Sequence, residues 1–415
     1  MTSEAWLWIA ISAEAISAMV SAFLDALNGR SKPKEPDGRL GEEFGKERHA
    51  RIVAYARDRM ALAAVSALWS AAIVVTAFAT GILGALDTAL AAALGDGHLT
   101  TLAFFGIALL ATDLLTAPLQ LASTFGVEQR YGFNKTTATV WLGDKLKGWI
   151  VSGLVGAALL YALLASIDWL GDWFWLAFSA CTACFLILAN ALYTTLIVPL
   201  FNKLTPLPEG DVRSAIETYA KSVEFPIAGI FVMNASKRST KGNAFFSGFG
   251  PSRKIVLYDT LVERHTVEEL VAIVAHEVGH AKGRHVLKSL ATSILAVPGM
   301  AILFSFVAGS EGLSVALGAE RASIAVNLYA FLALLTPLTI LLGLPASAMS
   351  RAHEYEADRY AAGTTSAKAM GDALKRLALD NLSDPYPHPA YVAFHYSHPP
   401  LLKRLDALDA VPGGE

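Results

Sequence analysis

The chain has 415 residues, 54% of them apolar and only 17% charged, with a mean hydropathy of +0.46. Soluble globular proteins carry about 25% charged residues, so this composition points to a membrane protein. A net charge of −3 with no basic run excludes a nucleic-acid binder.

The first apolar stretch covers about residues 6–27, and the first Lys or Arg is Arg30, behind it. Without a basic n-region this reads as a retained span and not a cleaved signal peptide. Further stretches of spanning length follow at about 61–85, 101–123, 149–167, 173–200, 290–308 and 323–349, which makes seven spans. Trp6, Trp149, Trp169, Trp173 and Trp175 fall near span ends, as interfacial aromatics do. The loops alternate in basic residues: none in 1–27, nine in 28–60, none in 86–100, four in 124–148, none in 168–172, twelve in 201–289, one in 309–322 and seven in 350–415. Positive residues stay inside, so the N-terminus is placed outside and the C-terminus in the cytoplasm.

Some spans carry polar groups. Glu14 and Asp25 lie eleven residues apart, which returns nearly to the same helix face, and Asp113, Asn190 and Asn327 sit in later spans. Such groups face a bundle interior or a hydrated cavity. Cys181 and Cys184 form a C-x-x-C, but in an apolar stretch without a group to lower a thiol pKa. They read as small buried residues of a membrane helix. The Pro-, Gly- and charge-rich stretch 30–47 reads as a mobile loop.

Residues 201–289 are the one large soluble insertion. The pattern predicts a helix over about 209–222, strands at 227–233, 244–250 and 253–259, and a turn at Pro251: a small antiparallel sheet beside a helix. The chain thus divides into a membrane region 1–200 with five spans, a cytoplasmic segment 201–289, two spans in 290–349 and a cytoplasmic tail 350–415.

The stretch 276–285 reads HEVGHAKGRH. Thr266 and Glu269 have capping-box spacing, so a helix starts there. His276 and His280 are then i and i+4 on one face, where one tetrahedral metal takes both, and Glu277 reaches a metal-bound water. The longer pattern H-E-x-x-H-x-x-G-x-x-H needs a third His at 286, which is Val286. On a continuous helix His285 faces away from the metal, as a surface or membrane-edge residue. The third ligand must come from elsewhere, and SRAHEYEADRYAAG (350–363) offers it. Glu354 and Asp358 share a face, one as ligand and one to orient a ligating His. Glu356 points elsewhere; the alternative for this stretch is a salt-bridged helix surface with Glu356 and Arg359 as a pair, and His353 is a weaker rival for the ligand. A closed, purely structural zinc site would need a fourth protein ligand, and none is apparent.

These pieces resemble peptidase family M48, in its integral-membrane CAAX prenyl protease branch. H-E-x-x-H follows SRKIVLYDTL, E-Y-E-A-D comes about 75 residues on, and S-H-P-P-L-L-K-R-L lies near the C-terminus. VEQRYGFNKTT (127–137), VPLFNKLTPLPEG (198–210) and SKRSTKGNAFFSGFG (236–250) match as well. The resemblance implies a mainly α membrane protein, with seven transmembrane helices around a water-filled chamber and a gluzincin-like α+β metalloprotease domain. It implies one Zn2+ per chain on His276, His280 and Glu354, Glu277 as general base and Asp358 as the residue orienting a ligand. It further implies that His398 holds the substrate carbonyl or its oxyanion, that Arg404 belongs to the same motif, and that Asn243 and Ala244 lie on the edge strand that receives a peptide. Glu14, Asp25 and Asp113 become candidates for the chamber lining. The expected partners are the lipid bilayer and a peptide or protein substrate, with lipid-modified or membrane-associated ones included. An HtpX-like quality-control protease is the alternative with identical chemistry. The Ala- and Gly-rich composition fits a bacterium of high-GC genome, hence a bacterial inner membrane, and the closing DAVPGGE has no endoplasmic-reticulum retention motif.

Overall fold

A computed structural model describes residues 1–30, 32–33, 35, 37–40, 44–248 and 253–411. The first half is helical: α1 (Ser3–Arg30), α2 (Lys46–Thr80), α3 (Ile82–Leu94), α4 (His98–Leu121), α5 (Ala138–Leu170) and α6 (Phe174–Leu192). Among the described residues, six helical runs are long and apolar enough to cross a membrane. One of them, Ala138–Phe201, is broken by a single 3-10 turn at Gly171–Trp173, where Gly171 has φ 51°. Its two arms, α5 and α6, pack on each other. Counted separately, they bring the run total to the seven spans read from the sequence.

The soluble part follows with α7 (Val198–Phe201), β1 (Leu204–Pro206), α8 (Asp211–Ser222), β2 (Gly229–Met233), β3 (Ala244–Ser247), β4 (Lys254–Tyr258), α9 (Asp259–Val262) and α10 (Val267–Lys282). The chain then re-enters the apolar layer through α11 (His285–Ser305), α12 (Glu311–Ala316) and α13 (Ile324–Thr364), and ends with α14 (Ala367–Asp380), α15 (Pro389–His395) and α16 (Leu401–Asp409). The sheet order is β1-β2-β4-β3. It is mixed, not antiparallel as expected: β2 and β4 run parallel, and β3 returns antiparallel on the outer side of β4. No hairpin joins β2 to β4. The connection between them carries β3, so the chain crosses over before pairing. β1 is an extra edge strand that three residues with a proline did not advertise. The turn expected at Pro251 and the last expected strand residues Phe249 and Gly250 lie outside the described residues.

Buried residues collect at two ends. One core joins the sheet, α10, α14 and α16 to the start of α2; the other joins α3, α4, α12 and the first turns of α13. Between the ends α2 and α11 bury little. α2 buries His49, Ile52, Tyr55 and Ala56, then Ala71 and Phe78; α11 buries His285, then only Ala301 and Phe304. A compact bundle would bury an inward stripe along each helix. Here α1 carries such a stripe, from Ala10 through Glu14, Ser17, Ala18 and Leu24 to Asn28, whereas the middles of α2 and α11 do not.

The far end closes by backbone contact. Gly81 caps α2 at φ 69°, and Gly84 N–H donates to Leu317 O at 3.0 Å. A Cβ on Gly84 would lie 1.9 Å from the Gly318 carbonyl carbon. Asn327 ties α13 to the same end, accepting from Ser314 and donating to the Ala308 and Ser310 carbonyls.

Other expectations change. Glu14 and Asp25 are buried between helices and do not line an open chamber. Glu14 accepts from Thr336 on α13. Asp113 is partly open but paired, by Lys145 at 2.6 Å and Trp149 Nε1 at 2.9 Å. Cys181 and Cys184 are exposed on α6 and not buried as expected. The described part of the 30–47 loop is anchored: Leu40 and Phe44 are in the core, and Lys32 pairs with Asp384.

Gly84→Val should destabilise the fold by the upper part of the roughly 1–3 kcal/mol typical of overpacking. A lowered melting point of the purified protein, with unchanged zinc content in the folded fraction, is the expected result.

Candidate active site

The helix α10 is set by its cap. Thr266 Oγ1 accepts from Glu269 N–H at 3.3 Å, and Glu269 accepts back from Thr266 N–H at 3.0 Å. The capping box was legible in the sequence and is present. Along the same helix Gly279 touches α13: a Cβ there would lie 2.9 Å from Ala357 Cα. The two helices can approach that closely only because the residue is glycine.

The approach brings the expected ligands together. The Nε2 atoms of His276 and His280 are 3.1 Å apart. Glu354 Oε2 lies 3.5 Å from the first and Oε1 3.2 Å from the second. One donor atom from each of the three residues falls within 4.8 Å of the others. Two imidazole nitrogens and a carboxylate oxygen are the donor set of catalytic zinc sites, which keep the fourth position for water or substrate. Glu354 Oε2 is buried and meets no hydrogen-bond geometry, although His398 Nδ1 and Arg404 Nη1 stand 2.8 and 3.4 Å away. A buried carboxylate oxygen left this way is what a cation would satisfy. The residues fit zinc.

Behind the ligands stands an ionic chain. His276 Nδ1 meets Asp358 Oδ1 at 2.9 Å, and Arg404 grips Asp358 with Nε and Nη2 at 2.7 and 2.5 Å. Burial pulls the His276 imidazole down, but Asp358 and Glu354 outweigh it and raise it to about 9. Burial lowers the Arg404 guanidinium too, and Asp358 more than restores it. Burial pushes the Glu277 carboxyl up, the direction a base working near neutral pH needs.

A cavity of about 600 Å³ opens in front. His276, Glu277 and Glu354 form one wall, and Asn243 and Ala244 another, with His398 and Arg404 beside them. Asn243 precedes β3, an edge of the sheet, and its side chain accepts the Ala244 N–H at 2.9 Å. Every residue singled out from the sequence for the site therefore borders this cavity, except His280 and Asp358, which stand behind its wall.

Three motif pieces converge to hold that edge. Glu128 pairs with Lys241 at 2.7 Å, and Tyr55 donates to Glu128 at 2.5 Å. Arg238 clasps Asp144 and donates to Asn202, while Asn134 bridges to Ser239. The loop 127–137, the turn near 202 and the lead-in to β3 thus lock together, which sets where Asn243 sits.

His285 departs from expectation. α10 stops at Lys282, Arg284 takes a left-handed φ of 55°, and α11 begins at His285. The break swings His285 back, buried, with Nδ1 2.9 Å from His280 Nδ1. It stacks on His353 with ring centroids 4.0 Å apart and meets Glu356 Oε2 at 3.0 Å. So Glu356 does not pair with Arg359, and His353 is not among the ligand donors. The continuous-helix assumption was the error, and no propensity at Gly283-Arg284 announced a non-glycine αL residue. Sequence reasoning also missed Arg351, whose Nη1 donates to the Val392 and Tyr396 carbonyls and fastens the segment that carries His398.

Residues 28–203 match the family model described as CAAX prenyl protease N-terminal, five membrane helices, and residues 206–411 match peptidase family M48. A CAAX prenyl protease 1 homolog of Arabidopsis thaliana is 36% identical over 75% of this chain and 74% of its own length. CAAX prenyl protease 1 of Saccharomyces cerevisiae is 35% identical over 75% and 72%, and the Homo sapiens homolog 31% over 74% and 73%. The crystal structure of S. mikatae Ste24p superposes with a TM-score of 0.92 at 29% identity, covering 97% of this chain and 99% of that one.

Glu354→Ala should leave the purified protein without stoichiometric zinc, whereas Glu356→Ala should retain it. Gly279→Val, which forces the two helices apart, should lose zinc as Glu354→Ala does, with metal analysis as the readout in each case.

Proposed function

The chain belongs to peptidase family M48 and is an integral-membrane zinc metalloendopeptidase, and from that premise we propose which of its residues carry the reaction. His276, His280 and Glu354 hold the zinc. When bound, the metal supplies a Lewis acid and a water acidic enough to ionise near neutral pH. Glu277 takes the proton of the attacking water and returns a proton to the leaving amine. Asp358, with Arg404 behind it, holds His276 by Nδ1 so that Nε2 faces the metal. His398 donates to the scissile carbonyl and to the oxyanion it becomes. The substrate adds to the β3 edge as a further strand from Asn243 and Ala244. The observation that carries the reading is that one cavity is bordered by two of the three ligands, His276 and Glu354, by Glu277 and by that sheet edge.

For the substrate we favour the end of a membrane-associated polypeptide, with a prenylated CAAX-type C-terminus foremost, as the relatives' names suggest. The loop alternation of basic residues supports an outside N-terminus and a cytoplasmic active site. The Ala- and Gly-rich composition supports a bacterial inner membrane, although the relatives named above are eukaryotic. In such a membrane an unprenylated, quality-control substrate is the second reading.

Glu277→Gln should keep zinc and lose roughly 10²–10⁴ in kcat, the usual share of a general base. Wild-type turnover in that variant would sink the assignment. His276→Ala should lose both zinc and activity. On matched prenylated and unprenylated peptides, a kcat/KM at least about tenfold higher for the prenylated set supports the first substrate reading (about 1.4 kcal/mol of discrimination); equal rates support the second.

A further inference from the structure

His285 occupies a place that its position in the sequence concealed. It is buried, it lies outside the ligand trio, and its two ring nitrogens face two different partners. Nδ1 faces His280 Nδ1 at 2.9 Å, and Nε2 faces Glu356 Oε2 at 3.0 Å. Only one arrangement of protons satisfies every atom in this row when His280 offers Nε2 to a metal. His280 then carries its proton on Nδ1 and donates it to His285 Nδ1. His285 carries its proton on Nε2 and donates it to the Glu356 carboxylate. Each donor has an acceptor, and the row ends on a side chain that is about half exposed.

We propose that His285 is a positioning residue for the zinc ligand His280, fixing its tautomer and ring orientation through a neutral imidazole. The proposal rests on His280 being a ligand. The other histidine ligand is held differently: His276 faces a carboxylate that is itself clasped by Arg404. The metal is therefore flanked by two unlike supports, one ionic and buried, the other neutral and leading outward. The arrangement depends on the left-handed Arg284, since a helix that ran on would carry His285 to the opposite face. It also depends on His353, which lies parallel to the His285 ring, with 6° between the planes, and keeps it from turning.

Two substitutions separate positioning from packing. His285→Phe keeps an aromatic ring for the stack on His353, at a somewhat larger volume, but removes the acceptor. His285→Asn keeps an acceptor close to the Nδ1 position, but removes the ring and the stack. Zinc affinity is measured by chelator competition on the full-length protein in detergent, and the cobalt-substituted protein gives a visible spectrum that reports ligand geometry. Positioning predicts that His285→Phe loses about 10–100-fold in affinity, the usual cost of removing a ligand's hydrogen-bond partner, with an altered cobalt spectrum. It predicts that His285→Asn stays within a few fold of wild type with an unaltered spectrum. The reverse order, or equal effects from both, overturns the proposal. Melting curves of the metal-free variants identify any that fail to fold, and the cobalt spectrum of the folded variant then decides alone. His280→Ala runs alongside: if it retains zinc, the ligand assignment fails, whereas its loss with an intact His285→Phe rejects only the role of His285.

Discussion

Gly279 and Ala357 meet where α10 crosses α13, and the site is built symmetrically around that point. His276 and His280 stand three residues before and one after Gly279; Glu354 and Asp358 stand three before and one after Ala357. Residues at i, i+3 and i+4 share a helix face. Each helix therefore presents a small residue between two polar ones. The small pair lets the backbones nearly touch, and the flanking pairs reach across to each other over distances of 2.9–3.5 Å. Helix axes usually pack 8–10 Å apart because side chains intervene. A larger residue at 279 would hold the two halves of the site beyond the span of one metal.

The crossing also explains why the support behind each ligand differs. On the α13 side the next residue on the shared face is Asp358, a carboxylate, which must be matched once buried. Arg404 from α16 supplies the match and is buried with it. On the α10 side the helix ends at once, and the first residue of α11 turns back to His280. One support is a charge pair brought in from the C-terminal tail; the other comes from the chain's own reversal into the membrane.

The elements that followed local rules were legible. The cap at Thr266, the i and i+4 histidines, the shared face of Glu354 and Asp358 and the seven apolar stretches all follow from periodicity and side-chain chemistry, and the structure contains them. What escaped depended on contacts between distant segments or on backbone dihedrals. His285 was misplaced because Arg284 adopts a conformation that its side chain does not favour. The sheet was misread because strand order is set by which segments meet, not by alternation within them. Glu14 and Asp25 do share a face, as their spacing requires, but that face turned out to be packed against neighbouring helices, which no single helix reveals. The pattern shared by HEVGH and EYEAD was present in plain letters; its meaning needed the knowledge that the two helices touch.

The metal shell does not belong to the soluble segment alone. Glu354 and Asp358 lie on the last turns of α13, a helix that starts at Ile324 and is held at its far end by the Asn327 hydrogen bonds. His285 opens α11, whose other end, through Phe304, lies in the far core. The two helices that carry the third ligand and the support of the second thus run from the site through the apolar layer to the opposite closure. Between those ends they bury few of their own residues, and α13 is held part-way by Thr336 donating to Glu14 on α1. A soluble fragment cut out at 201–289 would keep His276, Glu277, His280 and His285 but lose Glu354, Asp358 and Arg404. The chemistry is local, while its geometry draws on helices that run through the membrane region, and the structural match likewise extends over 97% of the chain and not just over the peptidase segment.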